Sequence, residues 1–430
     1  DYFGWDVGIS NDGNTAIVSA YGDDISSSTD AGSAFMFTRS GSTWTQQKEL
    51  NQSTVYTESY FGYQSRISGD ASTAIVSANG YDTGSAPYDV GMVYIYEQSR
   101  AWSEEQKIQE TTFGSNFGHA VSISGDTVLI GSNNEDVNSP DGTKAYVYTR
   151  SGSTWSLQQK VDPSQSNQSD NFGYQKTMKL DKSNNSQLIA GAYSEDETNS
   201  NEGAVYIFNR SGSTWTETQR IVPSDKANGS NFGICAAIAG DYAIFGGNTS
   251  CYVYYKSGGT WSQQQKIANP YEAGNGHSGP TNAVNFAADG EISINDAGNT
   301  IAVGARGQFN LPGYVFIFTR SGTTWSLEQA LRASDYANDD LFGWSCQLNS
   351  TGDILVVGAK TASKAYVFTR SGSTWSQQAN VQASDIASNW EFGEGVGISG
   401  EDGRIIVGAR QYNSSASGQG AAYIFTALPQ

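Results

Sequence analysis

The sequence predicts an all-β fold: a single closed β-propeller of eight blades, each of four antiparallel strands. Three observations predict it. A unit of about 55 residues recurs along the whole chain. Each unit breaks into four short apolar or alternating segments separated by Gly, Asn and Asp turns. No stretch of 12 residues carries the 3.6-residue apolar period that a helix requires.

The unit opens on a Phe-Gly pair at Phe3, Phe61, Phe117, Phe172, Phe232, Phe342 and Phe392, with Phe286-Ala287 as a degenerate copy. Successive openings lie 50 to 60 residues apart, and these eight positions mark the expected blade starts within one domain spanning residues 1–430. Six residues after each Phe stands an apolar residue, from Ile9 to Ile398, an even spacing that suits a strand of period two. This is segment A. A tight polar turn such as Asn11-Asp12-Gly13-Asn14 leads into segment B, an apolar run ending in small residues (Ala16-Ile17-Val18-Ser19-Ala20). A loop of variable length precedes segment C, an aromatic alternation such as Tyr146-Val147-Tyr148. A Ser-Gly-Ser/Thr-Thr-Trp turn then opens the polar segment D, whose Trp recurs at Trp44, Trp102, Trp155, Trp215, Trp261, Trp325 and Trp375.

Four antiparallel strands in a unit of this length make one propeller blade. Segment A, crowded with Gly and Ser, belongs at the central channel. Segment D, with Lys48, Lys107, Lys160, Arg220 and Lys266, belongs at the outer edge, where charge discourages edge-to-edge pairing. The count is uneven, because A, B and C occur eight times and D seven. The last blade is therefore expected either to have three strands or to take its fourth from residues outside this sequence. A seven-bladed ring is the alternative.

Composition fits this reading: of 430 residues 49 are Gly and 12% are aromatic, which suits short strands and tight turns around buried rings. Acids number 43 against 24 bases, for a net charge of −19. That field repels phosphate backbones and anionic headgroups, which argues against nucleic-acid partners. No apolar run reaches the ~20 residues of a spanning helix, so membrane insertion is not expected. Three cysteines do not make a disulfide framework. Cys235 and Cys251 fall in segments A and C of the fifth unit, ~9–10 Å apart across segment B and beyond the ~7 Å reach of a disulfide. Only the very short B–C loop of that unit argues for a bond between them. Eight glycosylation sequons, at Asn51, Asn167, Asn184, Asn209, Asn228, Asn248, Asn349 and Asn413, point weakly to an extracellular or cell-surface location. Asp1 in place of an initiator Met suggests processing, or membership of a larger multidomain chain or assembly.

The Phe-Gly opening, followed by Val303-Gly304-Ala305, Val357-Gly358-Ala359 and Val407-Gly408-Ala409, resembles the FG-GAP repeat of integrin alpha-subunit propellers and related extracellular proteins. The resemblance covers essentially the whole chain and implies the fold. Many FG-GAP blades carry a calcium loop between strands A and B. Here that connection is a short turn such as Ser68-Gly69-Asp70-Ala71-Ser72, which cannot supply the six to eight oxygens calcium takes. No integrin-type calcium site is expected, and eight A-B-C sets depart from the seven blades of integrins.

Any ligand face is expected on the side of the variable D–A and B–C loops. Acids cluster in the B–C loops of the first four units, among them Asp23, Asp24, Glu135 and Asp136. They read as a crescent for Ca²⁺ or a basic partner, or as a solvated rim. Two residues after each Phe-Gly start stand Trp5, Tyr63, His119, Tyr174 and Trp344, with Ile234, Ala288 and Glu394 in the other units. Five aromatic or His residues at a channel mouth could hold a cation or stack on a sugar, and packing between blades is the competing explanation. The resemblance implies a cage of this kind, which in integrins receives a basic residue of the partner subunit. The Ser-Asp pairs at Asp225, Asp335 and Asp385 read as local turns. His119 and His277 lie in different units, and no nucleophile–base pair, phosphate-binding glycine loop or metal-spaced cluster is present. The expectation is a non-catalytic extracellular interaction, adhesion or structural module without a cofactor, binding a protein partner. A carbohydrate-binding lectin is the alternative, and a glycan-active enzyme using paired carboxylates the second.

Overall fold

The computed structural model describes residues 1–82, 90–109, 116–132, 144–165, 170–174, 176–181, 185–271, 285–288, 291–307, 311–382, 391–400, 403–411 and 420–425. Within them eight antiparallel sheets follow one another, each hydrogen-bonded in chain order A-B-C-D, and the last has three strands. Blade 1 comprises Val7–Ile9, Thr15–Ala20, Ser33–Ser40 and Thr43–Leu50; blade 2 comprises Phe61–Ile67, Thr73–Ala78, Met92–Glu97 and Ser103–Gln109. Blade 3 is Phe117–Ser124, Thr127–Ser132, Lys144–Ser151 and Thr154–Val161; blade 4 is Lys179–Leu180, Gln187–Ala192, Ala204–Ser211 and Thr214–Ile221. Blade 5 is Ala236–Ala239, Tyr242–Gly246, Ser250–Ser257 and Thr260–Ala268; blade 6 is Ile292–Ile294, Thr300–Ala305, Tyr314–Ser321 and Thr324–Leu331. Blade 7 is Phe342–Leu348, Ile354–Ala359, Lys364–Ser371 and Thr374–Val381; blade 8 is Phe392–Ile398, Ile405–Ala409 and Ala421–Phe425. Helix is confined among the described residues to 3₁₀ turns, the fully described one being Gln98–Arg100.

The Phe-Gly pair has a specific conformational job. The residue before each Phe is left-handed in all eight blades, from Tyr2 (φ 58°) to Glu391 (φ 54°), and the following Gly sits at φ 92° in Gly4 and 94° in Gly393. Phe and Gly thus occupy the centre of a type II turn, which requires positive φ at its second central residue. The turn is closed by the mouth residue, as in Tyr63 N–H to Tyr60 O (3.0 Å) and Trp344 N–H to Leu341 O (3.0 Å). The degenerate blade keeps the turn with Ala287 at φ 59°.

Adjacent blades meet through glycines. A Cβ on Gly191 would overlap the carbonyl oxygen of Gly233, one on Gly358 that of Gly393, and one on Gly408 that of Gly4. The last of these joins blade 8 to blade 1 by the same contact that joins blade 7 to blade 8. A bridge between Phe3 and Gly420 repeats the one between Gly91 and Phe117. Val7, Ala16 and Val18 of blade 1 pack with Ile406 of blade 8, so the first and last blades meet.

The core lies between blades. Phe117, Tyr146, Tyr148 and Trp155 of blade 3 pack on Ile75, Val93, Ile95 and Ile108 of blade 2, and this arrangement recurs around the molecule. Burial of each such Trp contributes ~2–3 kcal/mol by area. Every D strand carries a β-bulge at one place, for example where Val147–Gln159 and Tyr148–Leu157 are paired in blade 3. The extra residue reverses strand parity. Trp155 therefore faces the preceding blade, while Gln159 and Val161 face the next.

That reversal creates a side-chain clasp. Gln106, Gln159, Gln219, Gln265 and Gln329 each donate to the carbonyl of the next blade's Trp and accept from its backbone N–H, at 2.6–2.9 Å. Cys235, Cys251 and Cys346 are buried and unbonded. Strand B separates Cys235 from Cys251 as the strand spacing requires, and the short loop does not bring them together. The Cys235 thiol donates instead to Ala287 O (3.2 Å).

Candidate functional site

Strand A enters at the mouth formed by the D–A and B–C loops, and the Phe-Gly turn fixes which side chain points there. Trp5, Tyr63, His119 and Tyr174, from blades 1 to 4, form one row, with successive ring centroids 6.1, 5.5 and 5.1 Å apart. All four are half-buried, and the Trp5 indole N–H donates to Tyr63 O (2.9 Å). Tyr21 packs on Trp5 (4.8 Å) and Tyr193 on Tyr174 (5.3 Å), widening the row into an arc. Burial holds the His119 imidazole down to about 4, so it is neutral at physiological pH, and its Nε2 is shielded without a hydrogen-bond partner.

On the opposite side the sequence reading missed the partners. The residue immediately after strand B is Arg306, Lys360 and Arg410 in blades 6, 7 and 8, where blades 1 and 4 have Tyr21 and Tyr193. Trp344 lies between Arg306 (4.6 Å) and Lys360 (4.4 Å), and Arg410 lies over Trp5 (5.0 Å). Lys360 pairs with Glu394 (3.0 Å), and Arg410 pairs with Glu394 (2.7 Å) and with Glu391. Burial pushes the Glu394 carboxyl up, against the pull of Lys360 and Arg410. A belt thus runs from Arg306 through Trp344, Lys360, Glu394 and Arg410 to the aromatic arc. It is interrupted at blade 5, where Ile234 and Gly247 stand. The signal in the sequence was there: the residue after each Ser-Ala or Gly-Ala ending is as regular as the Phe-Gly mouth residue.

Among the described residues, the acids of the variable loops hold local partners. Asp23 accepts from the Ser33 hydroxyl (2.5 Å) and Asp24 from the backbone of Asp30 (2.9 Å). Glu195, 3% exposed, accepts from the Tyr206 hydroxyl (2.7 Å) and pairs with Arg220. Burial opposes ionisation of Glu202, but hydrogen bonds from Thr198 and Asn199 outweigh it and hold the carboxyl at about 2. Each of these described acids is engaged within or beside its own loop, while Asp24, Asp196 and Glu197 stay exposed. Among the described residues no group of three or more His, Cys, Asp or Glu is placed to hold a metal ion. The A–B turn acid Asp70 serves its own turn, accepting from the Ser68 hydroxyl (2.6 Å) and Ser72 N–H (3.1 Å), whereas Asp126 pairs with Arg150 (2.7 Å).

Asp225 and Asp335, read as turn-forming, instead accept from Tyr252 (3.1 Å) and Tyr366 (3.0 Å) in strand C of the following blade. Their D–A loops are long enough for the side chain to reach across. Asn349 is a sequon that the fold withdraws: it is 6% exposed, and its Oδ1 caps the N–H groups of Gly352, Asp353 and Ile354. Asn51 and Asn228 are exposed, whereas Asn209 and Asn248 are half-buried. Glu135, Asp136, Asn167, Asn184, Asn413, His277 and Asp385 lie outside the described residues.

Comparison with known proteins places this geometry. A candidate 6-phosphogluconolactonase of Bacteroides uniformis superposes with a TM-score of 0.54 at 10% identity, over 86% of this chain and 97% of its own. The periplasmic gluconolactonase of Pseudomonas aeruginosa gives 0.51 at 15% identity, over 87% and 96%. A Chaetomium thermophilum protein, solved with the N-terminus of a ribosomal protein bound, gives 0.51 at 13% identity, over 79% and 80%. At such identities the likeness is one of fold alone. No curated protein sequence matches the chain. The FG-GAP repeat profile matches residues 1–37, 102–148, 155–208, 215–251, 325–373 and 375–425, more than half of the sequence. With its Phe-Gly turns, glycine junctions and eight matching sheets, the chain belongs to the FG-GAP repeat family.

Proposed function

We propose that this propeller is a non-catalytic binding module, an adhesion or structural component of an extracellular or cell-surface assembly, that receives its partner at the channel mouth. The observation that carries the reading is the aromatic arc of Trp5, Tyr63, His119 and Tyr174. Half-exposed ring faces with a neutral imidazole among them favour a basic side chain of a protein partner, through cation–π attraction worth ~0.5–2 kcal/mol per contact. Arg410 over Trp5 is the chain's own example of that pairing. The net charge of −19 adds long-range attraction for a basic partner.

A carbohydrate ligand is the second reading, favoured by the same ring faces, on which the apolar face of a sugar stacks. Hydrolysis is disfavoured by how the mouth's acids are held. Glu391 and Glu394 lie side by side, but Arg410 and Lys360 engage both in ion pairs, which stabilises their charged forms against the raised carboxyl that an acid catalyst needs. The test is binding to arrays of basic peptides, acidic peptides and glycans, with and without EDTA, together with product analysis. Retention of basic peptides irrespective of EDTA supports the first reading, and retention of glycans alone the second. Turnover that is abolished by Glu394→Gln would overturn both.

A further inference from the structure

Below the mouth the channel carries a second level of side chains. Ser122, Lys179, Ala237, Ser293 and Gln347 of blades 3 to 7 each pair with the third residue of their strand B. Equal register sets them at one depth. In blades 3, 5 and 7 they stand three residues after the mouth residue, ~10 Å deeper at the rise of a strand. Together they line a cavity of about 600 Å³ that extends to the A–B turns at Asn11, Gly240 and Ser350. That size falls within the ~300–1,000 Å³ of small-molecule sites.

The polar groups of this cavity are held by the fold yet keep unused bonding capacity. Gln347 Oε1 accepts from Ile398 N–H (3.2 Å), which fixes the amide, while its Nε2 donates to no described residue. Ser293 Oγ accepts from Leu348 N–H (3.0 Å) and retains its own O–H to donate. The Ser122 hydroxyl bonds no described residue. On the same wall the half-buried Glu291 carboxylate makes neither a hydrogen bond nor an ion pair with a described residue. Between Lys179 and Glu291, blade 5 contributes an aliphatic panel of Ala236, Ala237 and Ala239.

These groups specify a neutral, hydroxyl-rich ligand. Glu291 only accepts, the Gln347 amide nitrogen only donates, and the serine hydroxyls do either. Lys179 and Glu291 bring opposite charges to one cavity, so a ligand of net charge gains nothing from one that it does not lose to the other. The alanine panel suits the C–H face of a pyranose. No aromatic side chain is among the described residues lining the cavity, which separates it from the ring faces of the mouth. We propose that the channel holds a second binding site, distinct from the mouth, for a free neutral monosaccharide or disaccharide. Hydroxyls of the ligand donate to Glu291 and accept from Gln347 Nε2, and Ser122 and Ser293 bond its remaining hydroxyls.

The experiment titrates glucose, galactose, N-acetylglucosamine, maltose and trehalose against the intact chain by isothermal calorimetry, with glucuronate and glucosamine as charged counterparts. One-to-one binding of at least one neutral sugar is expected, and weaker binding of both charged ones. Glu291→Gln removes a charged acceptor and should weaken binding about tenfold or more; Ser122→Ala should weaken it roughly two- to tenfold. Neither side chain bonds another described residue, so both variants should melt with wild type, and a loss of affinity then reports contact with the sugar. Trp5→Ala/Tyr63→Ala should bind the sugar as wild type does. Absence of binding by all the neutral sugars, tighter binding of glucuronate or glucosamine, unchanged affinity in both channel variants, or a loss confined to the mouth variant would overturn the proposal. The role of the mouth is read from the mouth variant alone, so the two sites fail separately.

Discussion

The Phe-Gly pair is at once a conformational device and the means by which the mouth is furnished. Its Gly takes positive φ, and the turn it closes delivers the next side chain to the channel opening. Blade 6 provides the internal test, since Ala287 holds φ 59° where the other blades have Gly. An L-residue in that region costs ~1–2 kcal/mol. Ala287→Gly is therefore expected to stabilise the protein by about 1 kcal/mol in denaturant melts, net of the backbone entropy Gly adds to the unfolded chain. A second residue-scale prediction concerns His119. Its folded-state value of about 4 lies below the ordinary 6.5, so the unfolded chain binds the extra proton between those pH values. Stability is then complete above pH 6.5 and falls as pH drops toward 4, by at most about 3 kcal/mol. Relative to His119→Phe, wild type should lose that stability as pH falls through the window, because the variant has no such group to titrate. The mouth residues were legible in the sequence because they sit at one fixed distance from the Phe. Arg306, Lys360 and Arg410 were not singled out, although their position is equally regular, because their residue type changes from blade to blade. Asn349 was misread because a sequon does not reveal that a side-chain oxygen is occupied as a turn cap.

At the scale of the strand, the Ser-Gly-Ser/Thr-Thr-Trp hairpin and the polar run after it were evident, but the purpose of that polarity was not. Glutamines on an outer strand look like solvent-facing residues. Only the bulge, which no residue type announces, turns them toward the next blade. Gln265→Ala should consequently cost about 1–3 kcal/mol, the penalty for leaving the N–H and C=O of Trp325 without partners at a partly buried junction. Gln47→Ala serves as the comparison, since that amide reaches only Thr45 of its own strand (3.3 Å), and its loss should be within experimental error of zero. Chemical denaturation of the two variants side by side decides the point. Strand A shows the limit of reading elements from pattern: in blades 1, 4, 5 and 6 it begins only at Val7, Lys179, Ala236 and Ile292, well after the Phe. The turn occupies residues that apolar spacing alone assigns to the strand.

At the scale of the molecule, repetition made the blade number legible, and the count of seven D segments against eight of the others located the irregular junction. What the repeat count left open was the packing there: Phe3, Phe37 and Trp44 of blade 1 are half-exposed beside the three described strands of blade 8. The glycine contacts between Gly408 and Gly4 hold the first and last blades together regardless. Since the A–B turn acids Asp12, Asp70 and Asp353 bond to their own turns and Asp126 to Arg150, EDTA is expected to shift the melting temperature by no more than a few degrees. A collapse in EDTA, restored by calcium, would mean that the ring depends on metal-bound loops.

The central claim is that the mouth, and not the outer loops, is where this propeller binds. The most direct test is isothermal titration of the tightest-binding array ligand against wild type, Trp5→Ala/Tyr63→Ala and Asp24→Asn. The account predicts at least a tenfold loss of affinity in the aromatic variant, from removing two ring faces worth ~1 kcal/mol each, and no change in the loop variant. Equal affinity of the aromatic variant, or a loss only in Asp24→Asn, would contradict it.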